Sequence, residues 1–175
     1  YNALQDYEDG DGNGHNTAVG SQSQPNATTG EFNTSLGSLS MGAGVTTGDS
    51  NVAIGYKAAQ ALTSGGSNII IGELAVGYDA GKLMSTGIFN TIIGGLAGDA
   101  LTTGVRNVAL GYKALSAEDA HGYNTAVGFA TLENLDAGTD GENTAIGYAA
   151  GNALQTGVKN TLLGTNAGDA LTTGD

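Results

Sequence analysis

The stretch Asn90–Arg106 reads NTIIGGLAGDALTTGVR and is followed at once by a new start, Asn107-Val108-Ala109-Leu110-Gly111. On either side of it the same opening recurs: Asn, a β-branched residue, a small or aliphatic residue, an aliphatic, then Gly. It begins at Asn16, Asn33, Asn51, Asn68, Asn90, Asn107, Asn124, Asn143 and Asn160, at intervals of 17, 18, 17, 22, 17, 17, 19 and 17 residues. Such a period is the signature of a stacked-repeat architecture and takes precedence over local propensity in assigning the fold.

Each place in the repeat has a physical reading. The second place is β-branched throughout, and the fourth is Val19, Leu36, Ile54, Ile71, Ile93, Leu110, Val127, Ile146 or Leu163. Residues two apart share one face of a strand, so these form an apolar row suited to a pleated, half-buried surface. The third place faces the other way and is mostly Ala, which makes the opposite face apolar too. Burial on both faces points to a partner chain. Ala58, Ala75, Ala97, Ala114, Ala150 and Ala167 stand three places after a motif glycine, ahead of a turn such as Thr102-Thr103-Gly104. Three places before the asparagines stand Asn13, Gly30, Gly48, Gly65, Gly87, Gly104, His121, Asp140 and Gly157, residue types that tolerate positive φ, so a left-handed corner is expected there. A strand, a corner, a second short strand and another corner make one coil of a β-solenoid. The expectation is an all-β single-chain β-roll of about 17-residue coils, stacked about 4.8 Å apart. The nine motif asparagines then form a side-chain amide ladder along the rod.

Composition agrees. Glycine accounts for 31 of 175 residues, proline appears once at Pro25, and cysteine is absent, which excludes a disulfide scaffold and collagen. Five basic against 17 acidic residues, a net charge of −12, argue against nucleic acid and against an anionic membrane surface. No run approaches the roughly 18 apolar residues of a membrane span. Residues 1–50 read as irregular N-terminal coils or a cap with an acidic, Gly-rich turn, and residues 51–175 as regular repeats. The 22-residue interval places a looped-out corner around Glu73–Gly77. A chain that starts without methionine and stops inside a repeat reads as a segment of something longer.

Chemistry is sparse. No nucleophile–base pair, Gly-x-Ser-x-Gly elbow or phosphate loop is present, so no catalytic residue is assigned and an enzyme is not expected. His15 and His121 read as solvated corner residues. Asp9-Gly10-Asp11-Gly12-Asn13-Gly14 matches the start of a calcium loop, in which alternate oxygens converge on the ion, which makes Asp9, Asp11 and Asn13 candidate calcium ligands. The closing glutamate of an EF-hand is absent: its place is Gly20. Asp136–Gly141 repeats a degraded version of the loop at the same phase. Apart from calcium at that loop, no cofactor is expected.

The NTAIG-type motif, over residues 16–174, resembles the repeats of YadA-type head domains of trimeric autotransporter adhesins. It is similar, too, to repeats in tail-fibre and structural proteins of phages. The resemblance implies a left-handed β-roll with three chains packed side by side. The second and fourth places would fill the roll, and the alanine row from Ala18 to Ala145 would approach the neighbouring chains. It implies a non-enzymatic structural or adhesive segment of a surface fibre, extracellular, at a cell surface or on a virion. Its partners would be copies of itself, as a homotrimer or filament, and a host-surface glycan or receptor. The rival reading is a ligand-binding solenoid for ice or, with calcium, for glycans. Thr46-Thr47, Thr102-Thr103 and Thr172-Thr173 prompt the ice reading, but strand neighbours point to opposite faces and make no flat threonine array.

Overall fold

The computed structural model describes residues 3, 15–42, 46–71 and 79–174. Among these there is no helix. Nine three-residue strands form one parallel sheet in chain order: β1 Thr17–Val19, β2 Thr34–Leu36, β3 Val52–Ile54, β4 Ile69–Ile71, β5 Thr91–Ile93, β6 Val108–Leu110, β7 Thr125–Val127, β8 Thr144–Ile146 and β9 Thr161–Leu163. Each residue pairs with its repeat equivalent, as Thr91 with Val108 and Ile92 with Ala109. The chain is a β-solenoid of about eight turns. Coils are numbered 1 to 9 here from the asparagine that opens each.

The second half of the coil is not a strand. It is a run of turns: Ala97 N–H bonds Gly94 C=O and Leu101 N–H bonds Gly98 C=O, while Gly98 N–H reaches Ala114 C=O in the next coil. Left-handed residues make these bends, as at Leu96 (φ 55°), Lys113 (φ 56°) and Leu115 (φ 55°). The corner before the asparagines of coils 2 to 9 is also left-handed, but one residue before each rather than three. Phe32, Ser50, Ser67, Phe89, Arg106, Tyr123, Glu142 and Lys159 have φ between 50° and 62°. The glycines three places before Asn serve a different purpose. A Cβ on Gly87 would lie 2.7 Å from the carbonyl oxygen of Gly104 in the next coil, so glycine is required there by the closeness of the stacking.

The strand faces the opposite way to the sequence expectation. The third place points into the coil: Ala53, Ile70, Ile92, Ala109, Ala126 and Ala145 are fully buried. The second and fourth places point outward, with Leu36 at 45% and Ile146 at 40% exposure. Two aliphatic rows do not fit inside so small a loop; one row of small residues does. Inside, that row meets buried residues three, four and seven places after the motif glycine, such as Ala114, Leu115 and Leu101. Ala75 lies outside the described residues, and Ala80 takes its place in coil 4.

Volume is conserved across each of coils 4 to 7. Coils 4 and 5 carry Ile70 and Ile92 in the strand and Gly81 and Gly98 opposite, where a Cβ would come within 3.3 Å of Ile70 Cγ2 and 3.2 Å of Ile92 Cδ1. Coils 6 and 7 reverse this, with Ala109 and Ala126 in the strand and Leu115 and Leu132 opposite. Overpacking one side of a full core costs roughly 1–3 kcal/mol. Ala109→Ile alone is therefore expected to destabilise the chain in urea denaturation by about 2 kcal/mol. Adding Leu115→Gly, at a left-handed position, is expected to recover most of the loss. Additive penalties in the double variant would contradict this pairing.

The first coils are lined differently. Ser23, Gln24, Ser35, Ser40 and Thr46 are buried there, and Ser23 Oγ lies 2.6 Å from Ser35 Oγ, while Ser40 Oγ donates to Ala53 C=O. The expected loop-out around Glu73–Gly77 lies outside the described residues.

Candidate functional site

The sheet is held in register by the asparagines. Asn51 shows the complete arrangement: its Oδ1 accepts from the backbone N–H (3.1 Å) and Nδ2 (2.9 Å) of Asn68, and its own Nδ2 donates to Asn33 Oδ1 (3.0 Å) and Gly65 C=O (2.8 Å). The backbone N–H of Asn33, Asn51, Asn68, Asn90, Asn107, Asn124, Asn143 and Asn160 each donates to the Oδ1 of the asparagine one coil earlier, the first of these acceptors being Asn16. Asn124 is the exception in the donor role: its buried Nδ2 has no partner. The interval to Asn143 is two residues longer than the modal 17.

Anchored in this way, the strands present an outward face. Its two columns run Thr17, Thr34, Val52, Ile69, Thr91, Val108, Thr125, Thr144, Thr161 and Val19, Leu36, Ile54, Ile71, Ile93, Leu110, Val127, Ile146, Leu163. No charged residue occurs in either column, although the chain carries 17 acids and five bases. Aromatic columns border the strand. Tyr112, Phe129 and Tyr148 stack with centroids 5.3 Å apart at each step. On the other border His15 stacks on Phe32 at 4.9 Å, and the Arg106 guanidinium sits between Phe89 (5.3 Å) and Tyr123 (5.4 Å) while donating to Tyr123 Oη. Of the large hydrophobic residues exposed among those described, only Leu83 lies off these four columns.

Nine strands at about 4.8 Å span about 38 Å, and the four columns cover about 20 Å across, an area of about 800 Å². That matches what one partner buries in a standard interface of about 1,600 Å².

The other predicted positions fare variously. Asp9, Asp11 and Asn13 lie outside the described residues. His15 is exposed and stacked, but His121 is not merely a solvated corner residue, since its Nδ1 lies 3.1 Å from the buried Glu118. In the degraded acidic loop the two aspartates diverge: Asp140 Oδ1 accepts the Gly122 N–H at 3.0 Å, while Asp136 joins Glu118, Asp119 and His121. Glu118 stands at the phase of Leu101 and Leu135, so aligning the copies would have singled it out from sequence. On the turn side a cleft of about 250 Å³ is lined by Asp99, Lys113, Ser116, Glu133 and Asn134. Burial pushes the Asp99 carboxyl up from its ordinary value, and a 2.8 Å hydrogen bond to Glu133 raises Lys113.

No protein-family model, curated protein or solved structure matches the chain.

Proposed function

We propose that this chain is a non-enzymatic structural segment of an extracellular surface fibre, on a cell or a virion, built from three copies with their strand faces together. The observation that carries the reading is the outward face: nine strands without a charge in either column, on a chain of net charge −12. Depletion of charge is what marks the buried centre of an interface. Water left against the exposed aliphatic and aromatic side chains of this face is costly, and a self-matching parallel array lets each copy cover another in register. The copy number of three and the left-handed coil follow the resemblance to YadA-type heads. The contact differs from the one that resemblance implied, because the aliphatic columns, not the alanines, face the neighbour. The mechanism is mechanical: stacked coils make a stiff spacer that presents its tip or flanks to a host-surface glycan or receptor.

Sedimentation velocity at about 10 μM is expected to give a trimer mass. The pair Leu110→Lys and Ile146→Lys, in the middle and upper part of the outward face, is expected to yield a folded monomer. A wild-type monomer, or a trimer indifferent to both lysines, would sink the proposal. One observation favours the rival ice-binding reading: Thr17, Thr34, Thr91, Thr125, Thr144 and Thr161 share the first outward column. Thermal hysteresis in the purified protein decides for that reading, and its absence decides against it.

A further inference from the structure

Glu118 breaks the most regular feature of the interior. Seven places after the motif glycine, or twelve in the lengthened coil 4, the column runs Leu62, Met84, Leu101, Glu118, Leu135, Leu154, and every member is fully buried. A carboxylate has therefore replaced a leucine inside the stack. Its Oε1 accepts from the His121 N–H (3.0 Å) and from His121 Nδ1 (3.1 Å), and its Oε2 accepts from the Ala137 N–H (3.2 Å). Among the described residues no lysine or arginine pairs with it, and His121 is its one ionisable partner by ion-pair distance. Buried charges are found paired or bound to metal, because desolvating a lone carboxylate is very costly. The side chains beside Glu118 are themselves ligands: one ligand atom from each of Glu118, Asp119, His121 and Asp136 lies within 4.8 Å of all the others. Asp119 and Asp136 are exposed, so the cluster is open to ions from solvent, while Glu118 closes its inner side.

We propose that Glu118, Asp119, His121 and Asp136 bind one first-row divalent cation of the zinc class. An imidazole nitrogen with carboxylate oxygens suits such an ion better than calcium, which takes six to eight oxygens. The ion neutralises the buried carboxylate and ties coil 6, which holds Glu118, Asp119 and His121, to the lengthened corner of coil 7 at Asp136. The site lies within one chain, so it stands or falls independently of the assembly proposed above.

Isothermal titration of the full chain with zinc chloride alone tests it. One zinc per chain is expected, with a Kd of about 10 μM or tighter. His121→Ala and Asp136→Asn, at half-buried and exposed positions, are each expected to weaken binding at least about tenfold with unchanged far-ultraviolet circular dichroism. Calcium is expected to bind this site at least about tenfold more weakly than zinc. No zinc binding up to about 1 mM, calcium binding tighter than zinc, or zinc binding unchanged in both variants would each overturn the assignment.

Discussion

Asn51→Asp is expected to cost the fold about 4 kcal/mol or more, enough to unfold the chain at moderate urea concentrations. The substitution changes almost no volume, so packing is not the cause. Asn51 Nδ2 now donates to two oxygens, those of Asn33 Oδ1 and Gly65 C=O, in a fully buried position. Aspartate puts an acceptor against both oxygens and adds a charge where no cation stands. Orphaned buried polar groups cost roughly 1–3 kcal/mol each, and charged ones more. Asn124→Asp is the internal control. Its Nδ2 has no hydrogen bond to lose, so it is expected to cost at least about 2 kcal/mol less than Asn51→Asp. Chemical denaturation of the two variants side by side checks this, and equal losses would show that the ladder's donor side contributes nothing.

Gly94→Ala carries the second large effect. Gly94 has φ 129°, a region closed to side chains, and an added Cβ would lie 2.6 Å from the carbonyl oxygen of Gly111 and 2.7 Å from its carbonyl carbon. Both obstacles are backbone atoms fixed by the next coil, so no rotamer change relieves them. Conformational strain and collision together are expected to cost about 3–5 kcal/mol. Gly164→Ala shares the conformation (φ 124°) but meets nothing within 4 Å, so it isolates the strain. It is expected to cost about 1–3 kcal/mol. Thermal melts that rank the two variants alike would show that the stacking distance is not what requires glycine.

Much of this was legible in the residues. The Asn-to-Asn interval marks each strand to the residue, because one asparagine per coil must meet the asparagine of the next. Other features were not. The left-handed corner falls on Phe, Ser, Arg, Tyr, Glu or Lys, residue types with no shared preference for it, while the glycines that drew attention answer to the neighbouring coil. Such a position is set by closure of the loop and offset by stacking, not by the local residue.

Alternation in NTIIG and NVALG determined by itself that two rows exist and that they face opposite ways. It could not say which row faces in, since both are apolar. That choice belongs to the tertiary structure: a coil this small closes only around the narrow row, and where the strand supplies isoleucine, as at Ile70 and Ile92, the opposite side supplies Gly81 and Gly98. The wider aliphatic row is thereby turned outward, onto the face that the proposed assembly covers. In the same way, sequence places Glu118 in phase with the leucines and three residues before His121, and only the folded stack brings Asp136 to them, because residues about 18 apart along the chain become neighbours one coil spacing apart.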